Sequence, residues 1–250
     1  MERSQYLFST TLATFLSVLA ALAAGAGSAA ALAAVPSDAE SFALLVIDMQ
    51  NAFAANKSAA MVAQVNESIA LFRGYSNTGK VHVFFTQHGY LNGTTCDGHH
   101  EYQRHWAARG DPSDCATTIR GQWGWEFVPG ISAPRAGEPV VQKEVYDAFF
   151  QSALGAMLAE RGVRTVVVSG WETNVCCDST ARSAFFHGHR VLFLKDATAT
   201  SGGDAVQSAT LANMQLIVAD VIDVDQLRLR MRRALGPEDS EDRKIKTDDT

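Results

Sequence analysis

The sequence predicts an α/β protein in which a Rossmann-like, mostly parallel sheet of about six strands carries helices on both faces. Short apolar runs rich in β-branched residues alternate with helical patterns from residue 42 onward, which is typical of a parallel sheet wrapped by helices. Runs such as FALLVI at 42–47 are apolar throughout, as strands buried on both faces are. With 250 residues, 47% of them hydrophobic, the chain is long enough for one such domain and its core.

The individual elements follow from local patterns. Strands are predicted at 42–47, 81–86, 140–143, 165–169, 191–194 and 216–219. Helices are predicted from Met61 to a close at Gly79, at 149–161, from Asn174 onward, at 205–214 and at 224–235. The stretch at about 88–138 has no sustained periodicity, and a loop of this length inside a compact domain is usually functional.

The stretch at 166–196 is the motif around which the chain is organised. A β-branched strand breaks at Gly170, and the following helix carries Cys176 and Cys177 at its predicted start. The amino terminus of a helix lowers the pKa of a thiol and so favours the nucleophilic thiolate. The alternative is that such a cysteine packs as a small buried hydrophobe.

Three reactive side chains follow predicted strands. Asp48 comes after the first strand, Lys143 after the third and Cys176 after the fourth. In a parallel sheet ligands bind at the carboxyl ends of the strands, near the point where strand order reverses. A carboxylate there can take the proton of a thiol while an ammonium group stabilises the resulting anion. The three residues therefore predict catalysis by a cysteine nucleophile.

At these residues the sequence resembles the isochorismatase-like cysteine hydrolases, which include nicotinamidases, ureidoacrylate amidohydrolases and isochorismatases. The resemblance covers roughly residues 40 to 225, and four segments carry it in order: LLVIDMQNAF at 44–53, GQWGWEFVP at 121–129, VVQKEVYDAFFQSAL at 140–154 and GWETNVCCDSTARSAFFHGHRV at 170–191. It implies that Asp48 is the general base, Lys143 its electrostatic partner and Cys176 the nucleophile. Cys177 is then a packing residue.

The resemblance also implies a cis peptide bond between Trp171 and Glu172. The backbone N–H groups of Glu172 and Cys176 would then form an oxyanion hole for a tetrahedral intermediate. A nucleophilic cysteine implies cleavage of an amide or ureido C–N bond through a thioester, whereas some isochorismatases cleave a vinyl ether without such a thiol.

The resemblance further implies that the site holds no metal and no cofactor. Nicotinamidases of this kind hold a metal through an Asp-x-His pair after the second strand. The corresponding place in this chain reads Thr86-Gln87-His88-Gly89-Tyr90, so both the Asp and its His partner are missing. The spacing of the other loop histidines, His99, His100 and His105, matches no zinc signature. The histidines are therefore expected to be solvated loop residues.

Five residues are candidates for binding the substrate. Gln50 follows Asp48 closely, Tyr146 and Phe149 follow Lys143 at helical spacing, and Trp123 lies in the long loop. Trp171 occupies the elbow, which is the turn between the strand that breaks at Gly170 and the helix that follows it. Gln50 has an alternative role in a satisfied turn. Tyr146 and Phe149 have an alternative role as core residues.

The ends of the chain differ in composition from the hydrolase domain predicted at 40–235. Residues 1–34 have an apolar section and A-x-A-like cleavage sites, which is typical of a secretory signal peptide. The alternatives are an organellar targeting segment or an uncleaved anchor. Residues 236–250 are highly charged and predict a disordered tail. In an oxidising compartment Cys96 and Cys115 are candidates for a disulfide bond.

The sequence as a whole predicts a secreted or secretory-pathway hydrolase of a small-molecule amide or ureido bond, with an organellar or cytoplasmic location as the alternative. One alternative function is vinyl ether hydrolysis with Asp48 as the proton donor, and another is a secreted binding protein with a vestigial site. The net charge of −6 gives no basic excess, so a nucleic acid partner is not expected. Stable membrane insertion after cleavage is not expected either, and association into a homo-oligomer stays open.

Overall fold

A computed structural model describes residues 40–56, 58–90 and 117–238, which form a central sheet with helices on both sides. The strands within these residues are β1 (Phe42–Ile47), β2 (Val81–His88), β3 (Val140–Lys143), β4 (Thr165–Trp171), β5 (Arg190–Ala199) and β6 (Asp220–Ile222). The α-helices are α1 (Ala59–Gly74), α2 (Leu154–Glu160), α3 (Asp178–Phe186), α4 (Gly203–Ile217) and α5 (Val224–Leu235).

All neighbouring strands are parallel, and their order across the sheet is β3-β2-β1-β4-β5-β6. The chain thus builds the sheet outward from β1 to β3 and then, in the other direction, from β4 to β6. Strand order reverses between β1 and β4, and such a reversal opens a crevice at the carboxyl ends of the strands. The predicted fold class is confirmed, and its crevice lies where Asp48 follows β1 and the elbow follows β4.

Two apolar layers cover the faces of the sheet. Along β1, Leu44 and Val46 belong to the first layer, while Leu45 and Ile47 belong to the second. The first layer contains buried residues of α1 and α5, and the second contains buried residues of α2, α3 and α4. Because helices cover both faces, every residue of β1 is buried. The strand that leads into Asp48 therefore forms a rigid, water-excluding base.

Several element boundaries differ from those predicted. Helix α1 ends at Gly74, and Gly79, with a φ of 67°, follows a separate short turn that leads into β2. Helix α2 begins at Leu154 rather than at 149, because Gln151 has a left-handed φ of 50° that a regular helix does not contain. The strand predicted at 216–219 is wrong, because Leu216 lies on the exposed side of α4 and β6 begins only at Asp220.

The chain remains packed just beyond α5. The Tyr75 hydroxyl donates a hydrogen bond to the Gly236 carbonyl oxygen at 2.9 Å. Glu238 is buried and forms an ion pair with Arg228 on α5. The prediction of disorder is therefore wrong for residues 236–238.

Several predictions concern residues outside those that the structure describes. They are the signal peptide at 1–34, the pairing of Cys96 with Cys115 and the remainder of the tail, 239–250. All of them stay predictions. In the described ranges, no helix combines the length and the apolar character needed to cross a membrane.

Candidate active site

Asp48 is fixed at the end of β1 by the hydroxyl group of Thr86 on β2. Thr86 Oγ1 donates to Asp48 Oδ1 at 2.6 Å and accepts from the Asp48 backbone N–H at 3.1 Å. Asp48 has a φ of 43°, a left-handed conformation that costs a non-glycine residue on the order of 1–3 kcal/mol and persists only where the surrounding structure holds it. The side chain is fully buried. The carboxylate is thus held in one orientation and away from bulk water.

Lys143 connects Asp48 to the elbow. Its Nζ lies 2.6 Å from Asp48 Oδ2, 3.4 Å from Cys176 Sγ and 3.0 Å from the Val145 carbonyl oxygen. Burial alone would lower the pKa of the Lys143 ammonium, but the neighbouring Asp48 and Cys176 raise this pKa above its ordinary value. Lys143 therefore keeps its charge, and the structure brings Asp48 and Cys176 together around it.

Cys176 lies in a single wide helical turn, Thr173–Cys177, that precedes α3. The predicted position at the start of the α-helix is therefore displaced, because α3 begins only at Asp178. Burial raises the pKa of the Cys176 thiol, the Lys143 charge opposes this and Asp48 adds to it, so the pKa lies above its ordinary value. The expectation that a helix terminus lowers this pKa is wrong, because burial of the thiol outweighs the lowering effect of the Lys143 charge. The sulfur is a thiol at rest and needs a base.

Cys177 has the same chemistry as Cys176 and a different environment. Its side chain is fully buried in the second apolar layer. Burial raises the pKa of the Cys177 thiol well above its ordinary value. Cys177 thus has the surroundings of a packing residue, and both cysteines are free thiols.

The elbow between β4 and this turn has an unusual backbone. The Trp171–Glu172 peptide bond is cis, as the resemblance implies. Gly170 has a φ of 108°, and a Cβ atom there would lie 2.1 Å from the Ile47 carbonyl oxygen. Only glycine allows β4 to approach β1 this closely beside the site. The assignment of the Glu172 and Cys176 N–H groups to an oxyanion hole stays a prediction.

His88 is a buried neighbour of the site, and the expectation of a solvated loop histidine is wrong for it. It is the last residue of β2, pairs in register with Lys143 and is 1% exposed. Burial, together with the charge of Lys143, lowers the pKa of His88 to about 3. Its ring packs edge-on against Tyr90 with centroids 5.5 Å apart. Because the imidazole of His88 is neutral, it adds no charge beside the Lys143 ammonium. The buried counter-charge of Lys143 is therefore the Asp48 carboxylate.

Gln50 uses its side-chain amide to hold the backbone around the site. Its Nε2 donates to the carbonyl oxygens of His88 at 2.9 Å and Trp125 at 3.0 Å, and its Oε1 accepts from the His88 N–H at 2.7 Å. These bonds tie the chain after β1 to the end of β2 and to the tryptophan-containing loop. They agree with the satisfied-turn alternative, and a contact of Gln50 with substrate stays a prediction.

The four aromatic candidates lie in different places. Phe149 stacks on His187 with ring centroids 4.7 Å apart, at the end of α3 that is remote from the nucleophile. Trp171 is buried in the first apolar layer, whereas the nucleophile belongs to the second. Tyr146 is half-buried against the second layer, and Trp123 is 68% exposed. Phe149 and Trp171 are thus buried, Tyr146 is half-buried and Trp123 is exposed, and a contact of any of the four with substrate stays a prediction.

The described residues include no group of three or more His, Cys, Asp or Glu side chains placed to hold a metal ion. His99, His100 and His105 lie outside the described residues, so the expectation of a metal-free site stays a prediction.

Comparison with known proteins shows to which family the chain belongs. The model of the isochorismatase domain matches residues 42–226. The chain belongs to the isochorismatase family. The matched segment contains all six strands of the sheet together with Asp48, Lys143 and Cys176. The protein is thus an isochorismatase-family hydrolase.

Individual relatives agree with this family assignment. Nicotinamidase 3 of Arabidopsis thaliana is 35% identical over 187 residues, which cover 74% of this chain and 86% of that protein. The ureidoacrylate amidohydrolase of Variovorax paradoxus is 31% identical over 202 residues, which cover 73% of this chain and 78% of that protein. The crystal structure of an isochorismatase-like hydrolase from Alkaliphilus metalliredigens has a TM-score of 0.61 and 26% identity, and the match covers 76% of this chain and 96% of that one.

Proposed function

We propose that this isochorismatase-family hydrolase cleaves an amide or ureido C–N bond of a small molecule through a thioester on Cys176. The shared ammonium group carries the proposal, because Lys143 Nζ lies 2.6 Å from Asp48 Oδ2 and 3.4 Å from Cys176 Sγ. Nucleophile and base therefore both lie against the same buried ammonium group, which is the arrangement that proton transfer between them requires. The similarity to a nicotinamidase and to a ureidoacrylate amidohydrolase supports the same bond type.

The first half of the reaction forms the thioester. Cys176 passes its proton to Asp48 as the sulfur attacks the carbonyl carbon, which gives a tetrahedral oxyanion. The backbone N–H groups of Glu172 and Cys176 are the proposed donors to this oxyanion. Asp48 then protonates the leaving nitrogen, the C–N bond breaks, and the acyl group remains on Sγ while the amine departs.

The second half returns the enzyme to its starting state. Asp48 takes a proton from a water molecule as the water oxygen attacks the thioester carbonyl. The C–S bond breaks, Asp48 returns the proton to the sulfur, and the acid product leaves. Lys143 stays charged because Asp48 and Cys176 raise its pKa, so it stabilises the carboxylate and the anionic sulfur in turn.

The two adjacent cysteines offer a matched test. Cys176→Ala and Cys177→Ala each remove one buried thiol, but only Cys176 contacts Lys143 in the described structure. The panel of substrates is primary amides, ureido acids and isochorismate. Cys176→Ala is expected to lower kcat for the amide or ureido substrate by about 10⁴-fold or more, whereas Cys177→Ala retains most of the activity.

Other outcomes would decide against the proposal. C–N cleavage that survives Cys176→Ala would exclude the thioester. Isochorismate turnover that is unchanged in Cys176→Ala would favour vinyl ether hydrolysis with Asp48 as the proton donor. A protein that turns over nothing in the panel, and whose Cys176 does not react with a small electrophile, would favour a binding protein with a vestigial site.

A further inference from the structure

We infer that the side chain of Glu172 is a positioning residue, which holds the nucleophile elbow against the loop that follows β5. Glu172 Oε1 accepts hydrogen bonds from Thr200 Oγ1 at 2.9 Å, from the Ser201 N–H at 2.7 Å and from Ser201 Oγ at 2.5 Å. One carboxylate oxygen thus connects the chain after β4 to the chain after β5. We call this set of contacts, formed by Glu172, Thr200 and Ser201, the Glu172 latch. Its catalytic meaning rests on the proposed function.

The backbone of the same residue holds the nucleophile. The Glu172 carbonyl oxygen accepts from the N–H groups of Val175 at 3.1 Å and Cys177 at 3.0 Å. These two amides flank Cys176, so a displacement of Glu172 also displaces the sulfur relative to Lys143. The Glu172 N–H is in addition one of the two proposed oxyanion donors. The latch therefore acts on the nucleophile and on the oxyanion hole together.

The latch extends the connection between β4 and β5 beyond the sheet. Strand pairing between them reaches Trp171 and Ala199, and the latch begins at the next residue of each chain segment. The Thr200 hydroxyl has one proton, for which Asn174 Oδ1 at 2.5 Å competes with Glu172. The two bonds from Ser201 are therefore the firmer part of the latch.

The latch matters for rate because catalytic geometry has little tolerance. A displacement of about 1 Å in a reacting group can lower a rate by about 100-fold. The elbow ends in a cis peptide bond and continues into a single wide turn before α3 begins. The Glu172 latch thus connects the elbow to the loop between β5 and α4 at a point after the end of β4 and before the start of α3.

The test compares Glu172→Ala and Glu172→Gln with Glu138→Ala. Glu138 is a matched control because its carboxylate also accepts several hydrogen bonds, from Arg73 and from the Arg135 N–H, at a distance in the fold from the site. The first readout is the rate at which iodoacetamide alkylates Cys176, followed by mass spectrometry of the peptide that contains it. The second readout is kcat and KM for an amide or ureido compound that the unaltered protein hydrolyses.

Glu172→Ala is expected to change the alkylation rate of Cys176, in either direction, by about fivefold or more and to lower kcat by about 10–100-fold. KM is expected to change by less than about threefold, because the latch positions reacting groups rather than distant parts of the substrate. Glu172→Gln keeps an acceptor oxygen at the same place and is expected to restore both readouts to within about threefold. Glu138→Ala is expected to leave both unchanged.

A second pair of substitutions removes the hydroxyl groups that the loop after β5 contributes to the latch. Ser201→Ala combined with Thr200→Val is expected to reproduce the effect of Glu172→Ala, and adding it to Glu172→Ala is expected to have little further effect. This loop variant also decides the question if Glu172→Ala does not fold. Unaltered alkylation and kcat in both variants would overturn the inference, as would an equal loss in Glu138→Ala. If the unaltered protein hydrolyses no compound, the proposed function fails while the alkylation rates still decide whether the latch positions Cys176.

Discussion

Asp48 and Asp196 have similar local sequences and different surroundings. Each follows an apolar run, LLVI at 44–47 and VLFL at 191–194, and in the second case Lys195 stands between the run and the aspartate. Asp48 is buried and contacts Lys143 and Thr86. Asp196 is half-buried, and its Oδ2 accepts from the Val224 N–H at 3.2 Å, at the start of α5. One aspartate belongs to the candidate active site and the other contacts the start of a helix.

The neighbouring lysines repeat this difference. The side chain of Lys143 is fully buried and pairs with Asp48 at 2.6 Å. The side chain of Lys195 is 45% exposed and pairs with Asp223 at 3.1 Å. Water screens the second pair and not the first. What makes the first pair chemically useful is its position beside the reversal of strand order between β1 and β4, and not the local motif.

The largest expected effect is on activity. Asp48→Asn removes the proposed base at almost constant size, and kcat is expected to fall by about 10²–10⁴-fold. Asp196→Asn is expected to leave kcat within about twofold, because this carboxylate contacts α5. Steady-state kinetics with one substrate checks both variants. Similar losses in the two variants would remove the distinction between the two aspartates.

The next effect is on stability. Lys143→Met leaves the buried Asp48 carboxylate without its counter-charge, and the free energy of unfolding is expected to fall by about 3–5 kcal/mol. Lys195→Met breaks a solvent-exposed pair and is expected to cost about 0–1 kcal/mol. Urea unfolding of both variants measures the difference. Equal costs would show that burial does not separate the two pairs.

The decrease in the free energy of unfolding at acidic pH is expected to depend on His88. Its pKa is about 3 in the folded protein against an ordinary value of 6.5, so the folded state disfavours its proton. The stabilisation is therefore complete above pH 6.5 and is lost as the pH falls toward 3, by about 1.4 kcal/mol per pH unit at most. His88→Gln is expected to flatten this slope in urea unfolding between pH 6 and 4. The control, His187→Gln, changes an exposed residue and should keep the slope of the unaltered protein.

The smallest expected effect concerns two threonine hydroxyl groups. Thr86→Val leaves Asp48 Oδ1 without its hydroxyl donor, and we expect a cost of about 1–3 kcal/mol in unfolding free energy and a lower kcat. Thr198→Val removes a hydroxyl that donates to the Leu194 carbonyl oxygen at 2.8 Å on β5, and about 1 kcal/mol with unchanged kcat is expected. Combined unfolding and kinetic measurements separate the two. A loss of kcat in Thr198→Val would show that β5 also shapes the site.

The sequence was sufficient for five of the six strands and for the convergence of Asp48, Lys143 and Cys176. Apolar runs identify buried strands locally, and parallel strands place the residues that follow them at one edge of the sheet. The alternation of strands and helices supplied the fold class in the same way. These predictions needed no knowledge of how neighbouring strands are aligned.

Other features depend on contacts between distant residues, which local patterns do not encode. The burial of His88 follows from its register with Lys143. The late start of α2 follows from the backbone of Gln151, whose conformation is set by its surroundings. The raised pKa of the Cys176 thiol follows first from its burial, to which the Asp48 charge adds and which the Lys143 charge opposes, and no helix-terminus rule contains that burial. The apolar run of β2 ends at Phe85, and the polar residues Thr86 and Gln87 precede His88, so the local pattern gave no signal for a buried histidine.

The central claim, a covalent intermediate on Cys176, is tested most directly by rapid-quench mass spectrometry of a single turnover. With an amide or ureido substrate, we predict a transient mass increase on the peptide that contains Cys176, equal to the acyl part of the substrate. This species should form before the acid product and be absent from Cys176→Ala. Product that appears without any adduct, at the same rate in Cys176→Ala, would contradict the thioester mechanism.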